Sequence, residues 1–465
     1  MARHRIIPVV LFAALAVAAL APIRSYDFFW HLATGRWIVE QRALPLTDPF
    51  SIASDRTPWI NGEWLFDVVL YALHQALGIA GLAWVRALYV AALFVGVFRG
   101  AMREREGEVA IPLLLACIGF AGAAPLLDVR PSALAPLFVV LALTLRSTPA
   151  FALLTAAWIN VHPSALLAPV IALLTRRRVA PVVASAIALL ANPYGWRAIA
   201  APIALMGYVR SGAFVNAEWL PSRPAAFPLL YVTIAVAALV FATAADRRTH
   251  IWRIALAAMF AALAISGIRH QPLWYAAMPL LVAPAVTFRV PRTVAYAASA
   301  AVIACIAFLA PKDAGLLPDR FPIAAVARMQ ASGLRGNVYN ADQFGGYLIW
   351  ALYPDRRVLT DGRNELYHAL LPEYARARLD ERAWHALLRK YRIDLAVDEY
   401  RPPQRVQNAV THEEQEMPAS LAYWPRREWA LIAYDGVAMV FARRAAFPEA
   451  ALNRWEIRGV VPDAR

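Results

Sequence analysis

The stretch "SYDFFWHLATGRWIVEQ", residues 25–41, follows directly on an apolar run, residues 6–22, and decides how the chain is organised. A run of this kind can cross a bilayer as a helix, since about 17–25 apolar residues suffice. The basic start "MARHR" predicts a cytoplasmic N-terminus. Pro22 would be the first residue after a signal-peptide cleavage, which disfavours cleavage, so we predict a retained first helix. Asp27 is then almost the first polar side chain on the outer side.

The composition indicates a membrane protein with many spans. Hydrophobic residues make up 60% of the 465 residues and charged residues only 17%, against about 45–50% and about 25% in soluble domains. The net charge of +14 comes from arginine clusters between apolar runs, which is typical of membrane topology and argues against nucleic acid as a partner. Cys117 and Cys305 lie inside apolar runs and indicate neither a disulfide framework nor a metal site.

The arginine clusters also predict a topology. Placing them on the cytoplasmic side gives about eleven crossings within residues 1–311. The first loop, residues 25–62, is then periplasmic. Residues 63–78 are too polar to face lipid and are expected to form an interfacial helix. A crossing over residues 80–98 follows, in which Arg86 faces either the bundle interior or the outer interface. Pro163 is expected to break the helix that spans residues 151–174.

From Lys312 onwards the composition becomes that of a soluble domain, and residues 312–465 are expected to form a periplasmic α/β domain. "NVYNADQFGGYLIWALYPDRRVLTDGR", residues 337–363, predicts a strand, a helix and a second strand at residues 357–360. Residues 382–400 predict a further helix and strand. Residues 428–444 predict two strands joined by a turn at Asp435 and Gly436.

With this topology, unusual polar side chains collect on the outer side, which indicates a polar pocket there. They are Asp27, His31, Asp48, Glu63, Asp67, Arg130, His162, Glu218, Arg269 and His270. Other interpretations stay open, because Asp27 could cap the helix that follows it and Trp30 could be an interfacial anchor. His162 could only close a hydrogen bond at the broken helix, Glu218 could simply face solvent, and Arg269 and His270 could contact lipid headgroups. The pair Gly345 and Gly346 and the "TDGR" of residues 360–363 are expected to be turns.

Several motifs in a fixed order carry a resemblance. They are "D-x-x-W-H-x-x-x-G-x-W-I" at residues 27–38, "TDPFS" at 47–51, "EWL" at 63–65, "DVRPSAL" at 128–134, "WINVHPS" at 158–164, "NPYG" at 192–195, "AEWLPS" at 217–222, "RHQPLW" at 269–274 and "GGYLIWALYPDRRVLTDGR" at 345–363. The chain resembles the GT-C superfamily of membrane glycosyltransferases, which includes oligosaccharyltransferase catalytic subunits, protein O-mannosyltransferases and aminoarabinose transferases. It is most similar to a poorly characterised bacterial group of that superfamily.

The resemblance implies a donor sugar on a polyprenyl phosphate held in the membrane lipid, and an acid in the first loop as the catalytic base. By position that acid is Asp27, with Asp48 or Glu63 as a second acid or as a ligand of Mg²⁺ or Mn²⁺. Many transferases of this fold carry a second acid directly after the first, where this chain has Phe28, so the metal stays open. The residues expected to bind substrate are His31, Arg130, His162, Glu218, Arg269 and His270, and the arginines suit phosphate.

The expected function is transfer of a sugar, on the periplasmic face of a bacterial inner membrane, to an envelope glycan, lipid or protein acceptor. The alternative is a non-catalytic protein of the same fold, such as a carrier, a flippase-like protein or an envelope assembly component. A transporter should place polar groups along a whole path rather than on one side. The one-sided distribution therefore favours the transferase.

Overall fold

The computed structural model describes residues 2–176, 178–210, 217–311, 313–407 and 414–463. The chain divides into two compact units. Unit one contains residues 1–25 and 60–316, and unit two contains residues 26–59 and 317–465. The second boundary lies near Lys312, where the composition changes, although Lys312 itself is outside the described residues. The division differs from the sequence-based one in that residues 26–59 of the first loop group with the C-terminal unit.

The helices and strands have the following bounds. The helices are α1 Ala2–Ala19, α2 Phe28–Gln41, α3 Trp64–Glu104, α4 Ala110–Ala123, α5 Ala135–Thr144, α6 Thr148–Ile159, α7 Leu167–Arg176, α8 Val179–Ala188, α9 Arg197–Arg210, α10 Pro228–Thr243, α11 Ile251–Ser266, α12 Gln271–Val282, α13 Arg292–Leu309, α14 Ile323–Ala331, α15 Gly345–Leu352, α16 Leu370–Ala377, α17 Glu381–Lys390, α18 Ala419–Tyr423 and α19 Glu449–Asn453. The strands are β1 Asn337–Asn340, β2 Ile393–Glu399, β3 Gln404–Gln407, β4 Glu414–Met417, β5 Trp429–Tyr434 and β6 Ala438–Arg443.

Helix α12 forms the centre of unit one. All of its residues are buried, and it packs against α3, α4, α5 and α11. Two glycines of α4 allow a close approach. A Cβ on Gly122 would lie 2.3 Å from ring atoms of Tyr275, and one on Gly119 would lie 2.4 Å from the Tyr275 carbonyl oxygen. Because interiors are close-packed, only glycine fits at these two positions.

Two predicted helix breaks are confirmed. Gly78 has φ 65° and ψ −174° inside α3 and separates the polar residues 63–78 from the apolar residues 80–98. Only glycine adopts this left-handed region without strain. The second break lies between α6 and α7, where the chain forms the 3₁₀ turn Pro163–Leu166. The interfacial placement of the first segment stays a prediction.

Arg86 faces the interior of unit one, which is one of the two placements that the sequence allows. It is 7% exposed and donates hydrogen bonds to the carbonyl oxygens of Ala19, Ala124 and Leu127, of which the Ala19 contact is 3.1 Å and the Ala124 contact 3.3 Å. Carbonyls at the C-terminal ends of helices have no partner within their own helix. Arg86 therefore supplies donors to carbonyl groups at the end of α1 and just beyond the end of α4.

Within the described residues, two helices are long and apolar enough to cross a membrane, α3 and α13. The other apolar helices of unit one are 10–17 residues long, whereas a helix of about 20 residues matches the hydrocarbon core at 1.5 Å per residue. The count of about eleven crossings stays a prediction.

Unit two is built on a four-stranded sheet of order β1-β2-β6-β5. Strands β1 and β2 are parallel, and the other pairs are antiparallel. The predicted turn between β5 and β6 is confirmed, since the Asp435 carboxylate accepts the backbone N–H groups of Val437 at 2.8 Å and Ala438 at 2.9 Å. Helix α14 packs on β5 and β6, and α15 packs on α2.

The strand predicted at residues 357–360 does not form, and Val358 makes only isolated bridges to Ser51 and Val338. The Asn340 side chain occupies the backbone groups that a strand would use. Its oxygen accepts the Leu359 N–H at 3.0 Å, and its amide donates to the Thr360 carbonyl at 2.8 Å. The parallel partner of β1 is therefore β2, and residues 357–360 form a loop fixed to the end of β1. The hairpin of β3 and β4 was not predicted.

Candidate functional site

Asp27 stands at the N-terminal end of α2 and is half-buried. Its side chain makes no capping hydrogen bond to the helix. Instead, the Trp30 indole N–H donates to Asp27 Oδ1 at 3.2 Å. Trp30 is itself buried at 8% exposure, so its indole holds an acid inside unit two. Neither the capping interpretation of Asp27 nor the interfacial interpretation of Trp30 describes this geometry.

Two glycines bring other parts of unit two against the start of α2. A Cβ on Gly362 would lie 2.7 Å from Asp27 Oδ1, and one on Gly346 would lie 2.7 Å from the Tyr26 carbonyl oxygen. A third glycine, Gly345, packs on residues 360–361, since a Cβ there would lie 2.1 Å from the Thr360 carbonyl oxygen. Gly345 and Gly346 were predicted as a turn, but they are the first two residues of helix α15, and their missing side chains permit these close contacts.

Asp48 lies in a closed part of unit two. Its carboxylate accepts the backbone N–H groups of Phe50 at 3.0 Å and Ser51 at 3.2 Å, together with the Ser54 hydroxyl. Arg363 Nη1 donates to Asp48 Oδ1 at 2.9 Å, and both side chains are fully buried. Burial alone would raise the pKa of Asp48, but Arg363 and the hydrogen bonds outweigh it and hold the pKa below its usual value.

Arg363 completes this buried centre with a second acid. Its Nε donates to Asp361 Oδ1 at 2.8 Å and its Nη2 to Asp361 Oδ2 at 2.5 Å. The guanidinium lies 4.5 Å from the centre of the Trp59 ring and 5.2 Å from that of Phe50. Burial opposes its charge, yet Asp361 and Asp48 raise the pKa of Arg363 well above its ordinary value. We refer to Asp48, Asp361 and Arg363 as the buried triad.

The buried triad bears on the predicted role of Asp48 as a second catalytic acid. Bidentate arginine–carboxylate contacts are among the strongest hydrogen bonds in proteins. A carboxylate that is fully enclosed and bonded by both oxygens has the geometry of a structural anchor. The catalytic role of Asp48 stays a prediction, which this geometry does not favour.

Asp342 and Glu365 are two further acids near Asp27 in unit two, and no sequence pattern selected them. Both residues are exposed, yet desolvation by the protein around the carboxyl group, and then the charge of Asp361, raises the pKa of Asp342 to about 7, with Asp27 adding to the effect. Desolvation also raises the pKa of Glu365 to about 7, although Arg363 acts in the opposite direction.

His31 is buried next to these residues at 2% exposure. Its ring lies against Trp30, with ring centroids 3.5 Å apart and planes 31° apart. The structure therefore places His31 in the packing of α2, and its contact with substrate stays a prediction.

In unit one, Glu63 and His162 come together. Glu63 Oε1 lies 3.8 Å from His162 Nε2. The other ring nitrogen of His162, Nδ1, lies 2.8 Å from the Ser164 hydroxyl and accepts the Ser164 N–H at 3.1 Å, which caps the 3₁₀ turn after Pro163. Sequence alone predicted both residues separately, and the helix break brings them into contact.

Four more predicted residues gather around Trp219. Arg130 forms an ion pair with Glu218 at 2.5 Å. The Arg269 guanidinium lies 4.3 Å from the centre of the Trp219 ring, and the His270 ring meets Trp219 edge-on at a centroid distance of 6.4 Å. These are the contacts of an arginine held flat on an aromatic face. We refer to Arg130, Glu218, Trp219, Arg269 and His270 as the Trp219 cluster.

A second network of unit one lies at the C-terminal ends of several of its helices. Glu104 pairs with Arg253 at 2.7 Å and with Arg146 at 3.5 Å, and Arg105 donates to the Ala283 carbonyl at 2.8 Å. Arg176 donates to the Arg146 carbonyl at 3.0 Å. We call these residues the arginine-rich end.

Helices α3, α5, α7 and α12 reach the arginine-rich end with their C-termini. Glu63, Arg130, His162 and His270 stand before the N-termini of the same four helices. The six candidates of unit one therefore lie at the end away from the arginine-rich end, as the sequence predicts. Which side of a membrane each end faces stays a prediction.

No protein-family model matches the chain, and no curated protein matches it in sequence. Solved structures do match its fold. Archaeal oligosaccharyltransferase AglB from Archaeoglobus fulgidus, in complex with an inhibitory peptide and a dolichol-phosphate, matches with a TM-score of 0.52 and 10% identity, over 89% of this chain and 74% of that chain. The Archaeoglobus fulgidus oligosaccharyltransferase in complex with Zn and sulfate matches with a TM-score of 0.50 and 11% identity, over 89% and 73%.

The chain shares its fold with these oligosaccharyltransferase structures. The match extends over 89% of the chain and thus includes most of both units. It confirms, at the level of the fold, the resemblance that the ordered motifs indicate. At 10–11% identity it concerns the fold alone.

The metal expected by analogy with the GT-C superfamily can be tested against the side chains. Within the described residues, no group of three or more His, Cys, Asp or Glu side chains could hold a metal ion. The acids around Asp27 do not supply such a set, and Asp48 is committed to Arg363. An Mg²⁺ or Mn²⁺ ion held by one or two carboxylates beside substrate phosphates does not need such a group, so the metal dependence stays a prediction.

Sequence reasoning missed Asp361 and Arg363, although "TDGR" was noted as a turn. A usable signal was present in the chain. The dipeptide Thr-Asp occurs in the first loop, at Thr47 and Asp48, and again at Thr360 and Asp361, and the two acids share one arginine. Paired acids at distant positions, with one arginine beside one of them, indicate a candidate buried ion pair.

Proposed function

We propose that this protein is a bacterial inner-membrane glycosyltransferase that moves a sugar from a polyprenyl-phosphate donor to an envelope glycan, lipid or protein acceptor on the periplasmic face. The observation that carries the proposal is the position of Asp27. In a chain with a GT-C-like fold, it is a half-buried acid at the start of the first loop, held by the Trp30 indole. The order of the motifs along the chain supports the same conclusion.

The proposed reaction gives Asp27 the role of general base. An acceptor hydroxyl attacks the anomeric carbon, the new carbon–oxygen bond forms, and the bond from that carbon to the donor phosphate oxygen breaks. The hydroxyl proton passes to the Asp27 carboxylate, and the polyprenyl phosphate leaves with the bonding electrons. A positioned base of this kind contributes about 10²–10⁴-fold to the rate.

For unit one we propose a separate role, which rests on the Trp219 cluster alone. Arg269, with Arg130 and His270, binds phosphate oxygens, because a guanidinium presents several donors in a fixed plane. Trp219 lies against the Arg269 guanidinium at 4.3 Å. Glu218 holds Arg130 by an ion pair of 2.5 Å. Outside this cluster, His162 is proposed to contact the substrate, and Glu63, 3.8 Å from it, is proposed as a second acid.

The decisive test replaces Asp27 by asparagine, which keeps the size of the side chain and removes the proton acceptor. Purified protein in detergent is given polyprenyl-phosphate sugars and a panel of glycan, lipid and protein acceptors, and release of polyprenyl phosphate is measured. We expect Asp27→Asn to lower the rate by at least about 100-fold. Glu40→Gln, an exposed acid in the same helix α2, is the matched control and should keep the wild-type rate.

Two outcomes would contradict the proposal in different ways. Wild-type transfer by Asp27→Asn would remove Asp27 as the base. Tight binding of the donor by the wild type with no turnover over the whole acceptor panel would favour the non-catalytic alternative, a carrier, a flippase-like protein or an assembly component. Folding of each variant is checked by its thermal unfolding in the same detergent.

A further inference from the structure

Residues 361–363 of unit two join the buried triad to Asp27. Asp361 and Arg363 belong to the triad, and Gly362 between them faces the carboxylate of Asp27. The proposed reaction uses Asp27 but gives no role to these three residues. They are also the part of "TDGR" that the sequence predicts only as a turn.

Arg363 has little freedom to move. Three of its nitrogens donate to Asp361 and Asp48, and its side chain is fully buried. The Trp59 ring covers its guanidinium at 4.5 Å. The backbone N–H of Arg363 also donates to Asp361 Oδ1 at 2.9 Å. This bond links the two residues on either side of Gly362 and fixes the backbone there. The Gly362 backbone is therefore held by groups on each of its neighbours.

The same segment is fixed from its other side by Asn340 at the end of β1. The Asn340 amide donates to the Thr360 carbonyl at 2.8 Å. Gly345 allows α15 to press against the same carbonyl, since a Cβ there would lie only 2.1 Å away. The backbone that faces Asp27 is thus anchored both to the sheet and to the buried triad.

Gly362 stands directly beside the proposed base. A Cβ at this position would lie 2.7 Å from Asp27 Oδ1 and 3.6 Å from the Trp30 indole nitrogen. Real Cβ atoms essentially never approach another atom to within 3.0 Å, so a side chain here would displace the carboxylate or break its contact with Trp30. Gly362 therefore determines where the Asp27 carboxylate can lie.

We propose that Gly362 and Arg363 are positioning residues for Asp27: Arg363 fixes the backbone of residues 361–363, and the bare Gly362 sets the position of the Asp27 carboxylate. The inference rests on the proposed function, because it assumes that Asp27 is the base. A misplacement of about 1 Å in a catalytic group can cost about 100-fold in rate. A Cβ on Gly362 would lie 2.7 Å from Asp27 Oδ1. A side chain at this position should therefore move the carboxylate and lower the rate of transfer.

The first experiment is Gly362→Ala, measured as kcat and KM for sugar transfer. Its control is Gly436→Ala in the same unit, where the nearest atom to a new Cβ, Asp319 Oδ1, lies at 3.7 Å, an ordinary contact. We expect Gly362→Ala to lower kcat by at least about tenfold with KM within about twofold, and Gly436→Ala to match the wild type. Equal kcat values for Gly362→Ala and the wild type would overturn the inference.

The second experiment is Arg363→Lys, which keeps the charge but loses the two-pronged contact with Asp361. We expect the pH profile of kcat to shift, because a displaced backbone changes the surroundings of the base. A purely structural role would lower the melting temperature and leave the pH profile of the folded fraction unchanged, and that result would overturn the role of Arg363.

A third readout does not depend on transfer. Carboxyl labelling by a water-soluble carbodiimide and an amine, mapped to Asp27 by peptide mass spectrometry, is compared between the wild type, Gly362→Ala and Gly436→Ala. We expect the Asp27 labelling rate to change by at least about threefold in Gly362→Ala only, because its surroundings change. If the wild type transfers no sugar, the proposed function fails, and equal labelling in all three proteins would separately overturn the positioning of Asp27.

Discussion

Two acids of the first loop show how differently one residue type can be used. The Asp48 side chain is fully buried, and both of its oxygens accept hydrogen bonds. Oδ1 accepts from Arg363 and the Phe50 N–H, and Oδ2 accepts from the Ser51 N–H and the Ser54 hydroxyl. Asp27 is half-buried at the start of α2 and holds the Trp30 indole. A buried charge is tolerated only when it is paired and hydrogen-bonded. We infer that Asp48 serves the stability of unit two and that Asp27 remains the group suited to chemistry.

The largest expected effect follows from removing Arg363, the cation of the buried triad. Arg363→Ala would leave Asp48 and Asp361 buried without their cation, which typically costs about 3–5 kcal/mol. Unfolding in urea, followed by tryptophan fluorescence, measures the loss. Arg427→Ala is the control, since Arg427 is 74% exposed and pairs with Glu428 at the surface, and exposed pairs are worth about 0–1 kcal/mol. Equal stabilities of the two variants would mean that the triad does not hold unit two together.

A smaller effect separates the two acids directly. We expect Asp48→Asn to lower the free energy of unfolding by about 2 kcal/mol, since a hydrogen bond to a charged group is weakened. Asp27→Asn should change it by less than about 1 kcal/mol. Urea unfolding of both variants beside the wild type is the measurement, and a larger loss for Asp27→Asn would reverse the assignment of structural and chemical roles.

The pH dependence sharpens the same prediction. The folded pKa of Asp48 lies below its usual value, because Arg363 and its hydrogen bonds outweigh burial. Its contribution to stability is therefore complete above the unfolded pKa of about 4 and is lost as the pH falls through the folded pKa. The free energy of unfolding of the wild type should approach that of Asp48→Asn as the pH falls below about 4. A constant difference between them down to about pH 2 would contradict this.

Local patterns predicted much of the fold. The polarity of residues 63–78 predicted their separation from the crossing at residues 80–98, and proline chemistry predicted the break at Pro163. An Asp-Gly turn between β-rich runs predicted the hairpin of β5 and β6. The strand at residues 357–360 failed, because the Asn340 side chain takes the backbone hydrogen bonds that a strand would use. The β-propensities of residues 357–360 contain no information about this competition, because it depends on a side chain about 20 positions away.

The candidate site was harder to predict, because its key contacts are long-range. Arg363 and Asp48 are 315 positions apart, and arginine is almost never fully buried unless it is paired. The ends of the helices were easier. Arginines between apolar runs correctly predicted that Glu63, His162 and His270 lie away from the arginine-rich end. Charge segregation is a property of whole segments, whereas an ion pair is a property of two residues.

The smallest expected effect concerns Asp342, which shares the neighbourhood of Asp27. Desolvation by the surrounding protein and the charge of Asp361 raise its pKa to about 7, whereas an unfolded aspartate has a pKa of about 4. Between these values the folded protein binds a proton that the unfolded chain has released, so stability falls as the pH rises from about 4 to about 7. Asp342→Asn removes this loss, and its melting temperature relative to the wild type should rise between about pH 5 and about pH 8.

The effect should be small, because the Asp342 side chain reaches solvent, which screens the charges around it, and because Glu365 titrates in the same range. Asp355→Asn, an exposed acid of the same unit, is the control and should give a constant difference over that range. If the difference in melting temperature between Asp342→Asn and the wild type is equally constant over this pH range, the acids beside Asp27 do not interact with one another. The raised pKa values and the close packing at Gly362 would then be independent properties of this part of unit two.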